Sequence, residues 1–211
     1  MAQAPDKLTF SSMTWDILEE RYGLRELPSQ SLLSGAPPVP PSDVLQKNLR
    51  RARRSRLINE RARAYRLIDP VISELEDLRA GKISSLPEMP MAAPGVEGLC
   101  GTPDFIISGS TTHKFIPIIS IVEAKKDDID VGMPQCAAEL YASYLLNGER
   151  PERLYGCVTT GRDWQFLCLH GPSKQVQADL TMYYIVELPK LLGVFCHIVD
   201  TTLAALGGEG R

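Results

Sequence analysis

Several things are scarce in this chain. Its five cysteines, Cys100, Cys136, Cys157, Cys168 and Cys196, are odd in number and scattered, with no C-x-x-C. That excludes a disulfide framework and a thiolate zinc centre, and they read as small apolar core residues in a reducing compartment. The three histidines, His113, His170 and His197, lie far apart and carry no zinc spacing. There is no G-x-S-x-G and no G-x-x-x-x-G-K-[ST], which removes serine hydrolases and P-loop ATPases. Nothing repeats at a fixed period. No apolar run approaches the ~20 residues that span a bilayer. The opening MAQAPDKLTF lacks the basic and then apolar regions of a secretory signal. The expectation is a cytoplasmic protein with no membrane partner.

What is present is enough for one sizeable core, since the chain has 211 residues. Its net charge of −3 argues against general nucleic-acid binding, but the distribution is uneven. From Lys47 to Arg66 there are nine basic residues and one acidic, so this segment carries +8 and the rest of the chain −11. Such a density can attract a phosphate backbone, with Arg51, Arg54 and Arg63 as the candidate contacts. The bland alternative is a solvated helix face paired with acids elsewhere.

In chain order, residues 8–24 read as a short helix opened by Ser11, Ser12 or Thr14, and Pro28 to Ser42 as an extended proline-rich linker. Residues 1–42 are therefore expected as a helical arm and linker, 43–206 as the main domain, and 207–211 as a loose tail. Asp43 opens a long helical reading to about Ala80, interrupted at Pro70, with Leu57, Ala64, Ile68, Val71, Ile72, Leu75 and Leu78 on one stripe. Glu60 falls on that stripe. A carboxylate there needs a partner, either an inward arginine such as Arg61 or a metal site, and Glu74 and Glu76 are the fallbacks. The prolines of 82–98 allow only a short or edge strand. Asp127 to Asn147 reads as a second helix whose first turn is favoured by Asp127, Asp128 and Asp130. Strands are expected over Leu154–Thr160, Trp164–Leu169 and Met182–Val186, and a closing helix from Pro189. Trp164 is either a sheet-packing aromatic or a base-stacking one.

The stretch that organises the chain is Leu99 to Gln135, read as two strands and a turn, Leu99–Ser108 and Phe115–Lys125. Asp104 lies early on the first, and Glu123 and Lys125, two apart, share one face of the second. Burying two carboxylates together costs several kcal/mol unless something neutralises them. Mg²⁺ or Mn²⁺ prefers such hard oxygen ligands, and a nearby lysine can orient water or steady a developing anion. That is equipment for metal-assisted phosphodiester hydrolysis.

Pro103-Asp104 followed by Glu123-Ala124-Lys125 resembles the PD-(D/E)XK phosphodiesterase superfamily, and most closely the N-terminal nuclease domains of type I restriction motor subunits. Gln135 at a helix start, Glu60 on a preceding helix, and Val158 to Trp164 as a strand-turn-strand fit the same pattern over roughly residues 45–190. The resemblance implies an α/β fold with a restriction-endonuclease-like α-β-β-β-α-β core, a mixed sheet flanked by helices. It also implies that Asp104, Glu123 and the Ala124 carbonyl hold Mg²⁺ or Mn²⁺, with Glu60 holding a second metal or a metal-bound water. Lys125 would orient the attacking water and Gln135 would position the phosphate. The expected activity is endonuclease-like, on DNA ahead of RNA, in a homodimer or larger assembly. The competing reading is a non-catalytic module on the same fold that binds nucleic acid or a partner.

Overall fold

The structure is a computed structural model that describes residues 8–55, 59–110 and 115–207, with the backbone but not the side chain of Glu60. A 3₁₀ turn (Phe10–Ser12) leads to α1 (Trp15–Tyr22), β1 (Arg25–Gln30) and α2 (Asp43–Ala52). Next come α3 (Glu60–Arg63), a π-helical turn (Ala64–Ile68) and α4 (Asp69–Leu78). β2 (Ser84–Pro87), a small hairpin of β3 (Met91–Ala92) and β4 (Cys100–Gly101), β5 (Phe105–Ser108) and β6 (Ile118–Ala124) follow. The chain ends with α5 (Met133–Leu146), β7 (Arg153–Thr159), β8 (Asp163–His170), β9 (Gln175–Tyr184) and α6 (Leu188–Gly207).

Seven strands form one mixed sheet in the order β1-β9-β8-β7-β6-β5-β2. β2, β5 and β6 are an antiparallel meander, and α5 makes the crossover that lets β7 run parallel to β6. β8 and β9 continue antiparallel. Setting aside the β3–β4 hairpin, α4 to β7 run α-β-β-β-α-β, the order that the resemblance implies.

Alternation along the strands builds two cores. Ile106 and Ile121 face α5, the N-terminal 3₁₀ turn and α1; Ile107, Val122 and Phe166 face α2, α4 and α6. Each fully buried aliphatic or aromatic side chain contributes about 1.5–3 kcal/mol. Trp164 is buried in the second core, edge-on to Phe195 at 5.6 Å, so it packs the sheet and is not exposed to stack on a base.

Some expectations are corrected. The long helix from Asp43 does not run through: α2 ends at Ala52, and α3 starts afresh where Asn59 Oδ1 accepts from the Ala62 amide at 2.8 Å. Leu57, placed on the stripe, lies outside the described residues. Leu99–Ser108 is not one strand but β4 and β5, in separate sheets. The second helix begins at Met133; Asp127 and Asp128 precede it, and Asp130 opens a 3₁₀ turn that leads into it. β9 starts at Gln175, seven residues before the expected Met182. Residues 28–30, read as the start of a linker, belong to β1, which runs parallel to β9.

The proline-rich segment after β1 is a strap across α6. Leu33 is buried in the core, the Val39 amide donates to Pro189 O at 2.8 Å, and the Pro37 carbonyl sits where a side chain at Gly193 would have to go. α6 also corrects the expectation about apolar runs. With the turn before it, Ile185–Gly207, it is long and apolar enough to cross a bilayer by length and composition, and half of its most apolar window is buried against the protein.

Candidate active site

β5 and β6 deliver the site to one end of the sheet. Their last recorded pair is Phe105 with Val122. One step further along that register sets Asp104, just before β5, across from Glu123 on the α5 face. Directly opposed residues of antiparallel strands share a face. Asp104 Oδ2 accepts the Ala124 amide at 2.7 Å, which fixes the aspartate to the strand end. Lys125 continues the line of Glu123, its own amide bonded to Thr159 O of β7 at 2.8 Å.

The side chains meet closely. Lys125 Nζ lies 2.7 Å from Glu123 Oε1 and donates to Gln135 Oε1 at 2.8 Å. The Gln135 amide nitrogen donates to Glu123 Oε1 at 2.7 Å. Glu123 is 3 % exposed, so the ion pair is largely desolvated and stronger than a surface pair. Gly132 makes this packing feasible: a Cβ there would lie 2.6 Å from Val158 Cγ1 and 2.9 Å from Lys125 Cγ.

Glu139, which the sequence reading passed over, completes the cluster. One helical turn beyond Gln135 on α5 and fully buried, it accepts the same Gln135 amide nitrogen at 3.0 Å. Burial, and then the negative charge of Glu123, push its carboxyl well above the usual range. Its Oε2 has no hydrogen-bond partner among the described residues. The signal was a lone carboxylate inside the apolar run Met133–Leu146, four residues from Gln135.

The remaining candidates fall as follows. Glu60 opens α3, and its side chain lies outside the described residues. Arg61, considered as its partner, is exposed and paired with Glu88 at 3.0 Å. Arg63, on the same turn, is mostly covered; it donates to Lys126 O and pairs with Asp127 at 3.2 Å, so α3 leans on the site's edge. Arg51 and Arg54 are exposed at the end of α2 and in the turn after it. Glu74 serves elsewhere, accepting the Ser42 amide at 2.6 Å at the cap of α2, and Glu76 accepts the Ser85 amide. Neither belongs to this site.

Among the described residues no three His, Cys, Asp or Glu side chains form a metal-binding group. The donors at the sheet end are nevertheless of one chemical kind: carboxylates and backbone carbonyls, without imidazole or thiolate. That set suits a small hard cation held by two carboxyl groups and the Ala124 carbonyl.

No protein-family model matches the chain, and no curated protein matches it. Among solved structures it is similar to the type IIG restriction endonuclease BpuSI, at 16% identity and a TM-score of 0.46. The match covers 69% of this chain and 17% of that one. So loose a likeness assigns no function.

Proposed function

We propose that this chain is a Mg²⁺- or Mn²⁺-dependent nuclease that hydrolyses phosphodiester bonds, in DNA ahead of RNA. The supporting observation is the closed network of Lys125, Glu123 and Gln135 beside Asp104 at one sheet end. A core has no use for such a group: an ammonium and several carboxyls gathered under an α-helix cost more than apolar residues of the same volume.

In this reading Asp104, Glu123 and the Ala124 carbonyl would hold the divalent ion. When bound, the ion neutralises charge at the scissile phosphate and acidifies water. Lys125 orients the attacking water and donates to the phosphoryl oxygens as negative charge grows on them. Gln135 anchors Lys125 through its oxygen and faces both glutamates through its nitrogen, and Glu139 fixes which way that amide points. Asp104, tied to the Ala124 amide, is held in place before any ligand arrives.

The test is incubation with duplex, single-stranded and branched DNA and with RNA, each with Mg²⁺, Mn²⁺ or EDTA. Cleavage that needs the metal and disappears in Asp104→Ala and Lys125→Ala is the expected result. Equal cleavage by wild type and both variants identifies a contaminant. No cleavage of any substrate by folded protein leaves the non-catalytic binding module in its place.

A further inference from the structure

A cavity of about 710 Å³ opens at the same end of the sheet as the candidate site, on the opposite face, between α2, the π-helical turn, the β7–β8 turn and the end of β9. It is joined to the site through backbone. The β7–β8 turn begins at Thr159, whose carbonyl holds the Lys125 amide. Leu67, in the cavity wall, packs on Gly161 of that turn, where φ is +80° and a Cβ would lie 2.9 Å from Leu67 Cβ. Arg63, one helical turn before Leu67, reaches Lys126 and Asp127.

The lining combines two chemistries. The walls are mainly apolar, and Tyr184 is 42% exposed beside them. Around them stand Arg50, Arg53 and Arg162, none of which joins an ion pair among the described residues. The single acidic group of the lining, Asp163, accepts from the Thr160 hydroxyl at 3.1 Å. Guanidinium groups around an apolar hollow with an aromatic face match a nucleotide, whose phosphate is anionic and whose base is flat and apolar on its faces. The volume lies within the ~300–1,000 Å³ typical of small-ligand clefts. A stacked duplex offers phosphates but no free base to fill such a hollow.

We infer that this cavity binds an unpaired nucleotide of the substrate strand, across the β7–β8 turn from the scissile phosphate, so that the preferred substrate has a single-stranded segment beside the cut. The inference deepens the nuclease reading and rests on it for the word substrate, but the binding it asserts is separable from cleavage. The strand passes over the β7–β8 turn, with its phosphates against Arg50, Arg53 and Arg162 and one base on Tyr184.

The test measures binding of fluorescein-labelled single-stranded and duplex oligodeoxynucleotides to full-length protein in EDTA. Arg50→Ala/Arg53→Ala is compared with Arg61→Ala/Arg66→Ala, which makes the same charge change in the same segment at exposed residues outside the cavity lining. The first pair should lose about tenfold or more in single-strand affinity and the second no more than about threefold. Tyr184→Ala should lose about tenfold on single strands with its salt dependence intact, because stacking releases no counterions. Equal losses for the two arginine pairs, or duplex bound as tightly as single strand with Tyr184→Ala silent, overturn the proposal. Circular dichroism of each variant separates misfolding from lost contact. The nuclease reading is judged separately, by metal-dependent hydrolysis of thymidine 5′-p-nitrophenyl phosphate in wild type and Lys125→Ala. Selective binding without hydrolysis retains the cavity and removes the enzyme, and hydrolysis without selective binding does the reverse.

Discussion

Two of the places where this molecule buries carboxyl groups do so in opposite ways. Asp179 on β9 is 1% exposed, yet its partners are neutral and local or anchoring. It accepts the Thr181 amide and the distant Leu33 amide at 3.0 Å each, and the Tyr183 hydroxyl at 3.3 Å. Burial, with the Asp179 charge, pushes the Tyr183 phenol to about 12, so it remains a donor at any physiological pH. At the end of β6, by contrast, Glu123 shares an ammonium and an amide with a neighbouring carboxyl, Glu139. A carboxylate satisfied by backbone amides holds a fold together. Carboxyls crowded against each other beside a lysine raise the energy of the folded state, which makes sense where chemistry uses them.

The contrast can be broken by substitution. Lys125→Ala should cut metal-dependent cleavage per folded molecule by about 10²–10⁴-fold, with a fall in the urea midpoint because Glu123 is left buried without its ammonium. Cleavage per folded molecule kept at the wild-type level would make Lys125 a structural residue like Asp179. Asp179→Ala should do the converse, costing about 2–3 kcal/mol of stability by stranding buried donors, with cleavage per folded molecule kept; denaturant titration alongside initial rates reads both. Gly132→Ala should push on Lys125 and Val158, costing about 1–3 kcal/mol as overpacking does and lowering cleavage more than Asp179→Ala does. Activity unchanged at reduced stability would uncouple Gly132 from the site.

The smallest effect is a pH slope. Because Glu139 titrates above its ordinary value in the folded protein, the folded state holds a proton that the unfolded state releases. Stability from this group is complete below the unfolded carboxyl range and declines as pH rises from there toward the raised folded value. Glu139→Gln should therefore flatten the fall of the urea midpoint as pH rises above the ordinary carboxyl range in EDTA. A slope identical to wild type would show that Glu139 is ionised in the folded protein.

The strands that carry the site were legible because they are buried on both faces. The run into Glu123 is apolar but for Ser120, as a strand buried on both faces reads. Lys125 and Glu123 share a face by simple alternation, and the structure brings them together. β1 was missed because it is an exposed edge strand, Arg25–Gln30, held by backbone pairing that leaves no hydrophobic signature. The early half of β9 was missed for a related reason, since only Val176 and Asp179 of Gln175–Thr181 are buried. The helical stripe from Asp43 misled after Ala52, where arginine-rich sequence favours helix, and Asn59, as a cap, marked the restart. Glu139 stayed hidden because a single charge in an apolar helix gives no hint of its neighbours across the sheet.

The strap over α6 has a consequence for how this polypeptide behaves when cut. Val39 and Pro37 are threaded against Pro189 and Gly193, so the opening of the chain shields a helix near its end. A fragment starting after residue 42 would lay open the Gly193 side of α6 and should bind more of a hydrophobic dye than the intact protein.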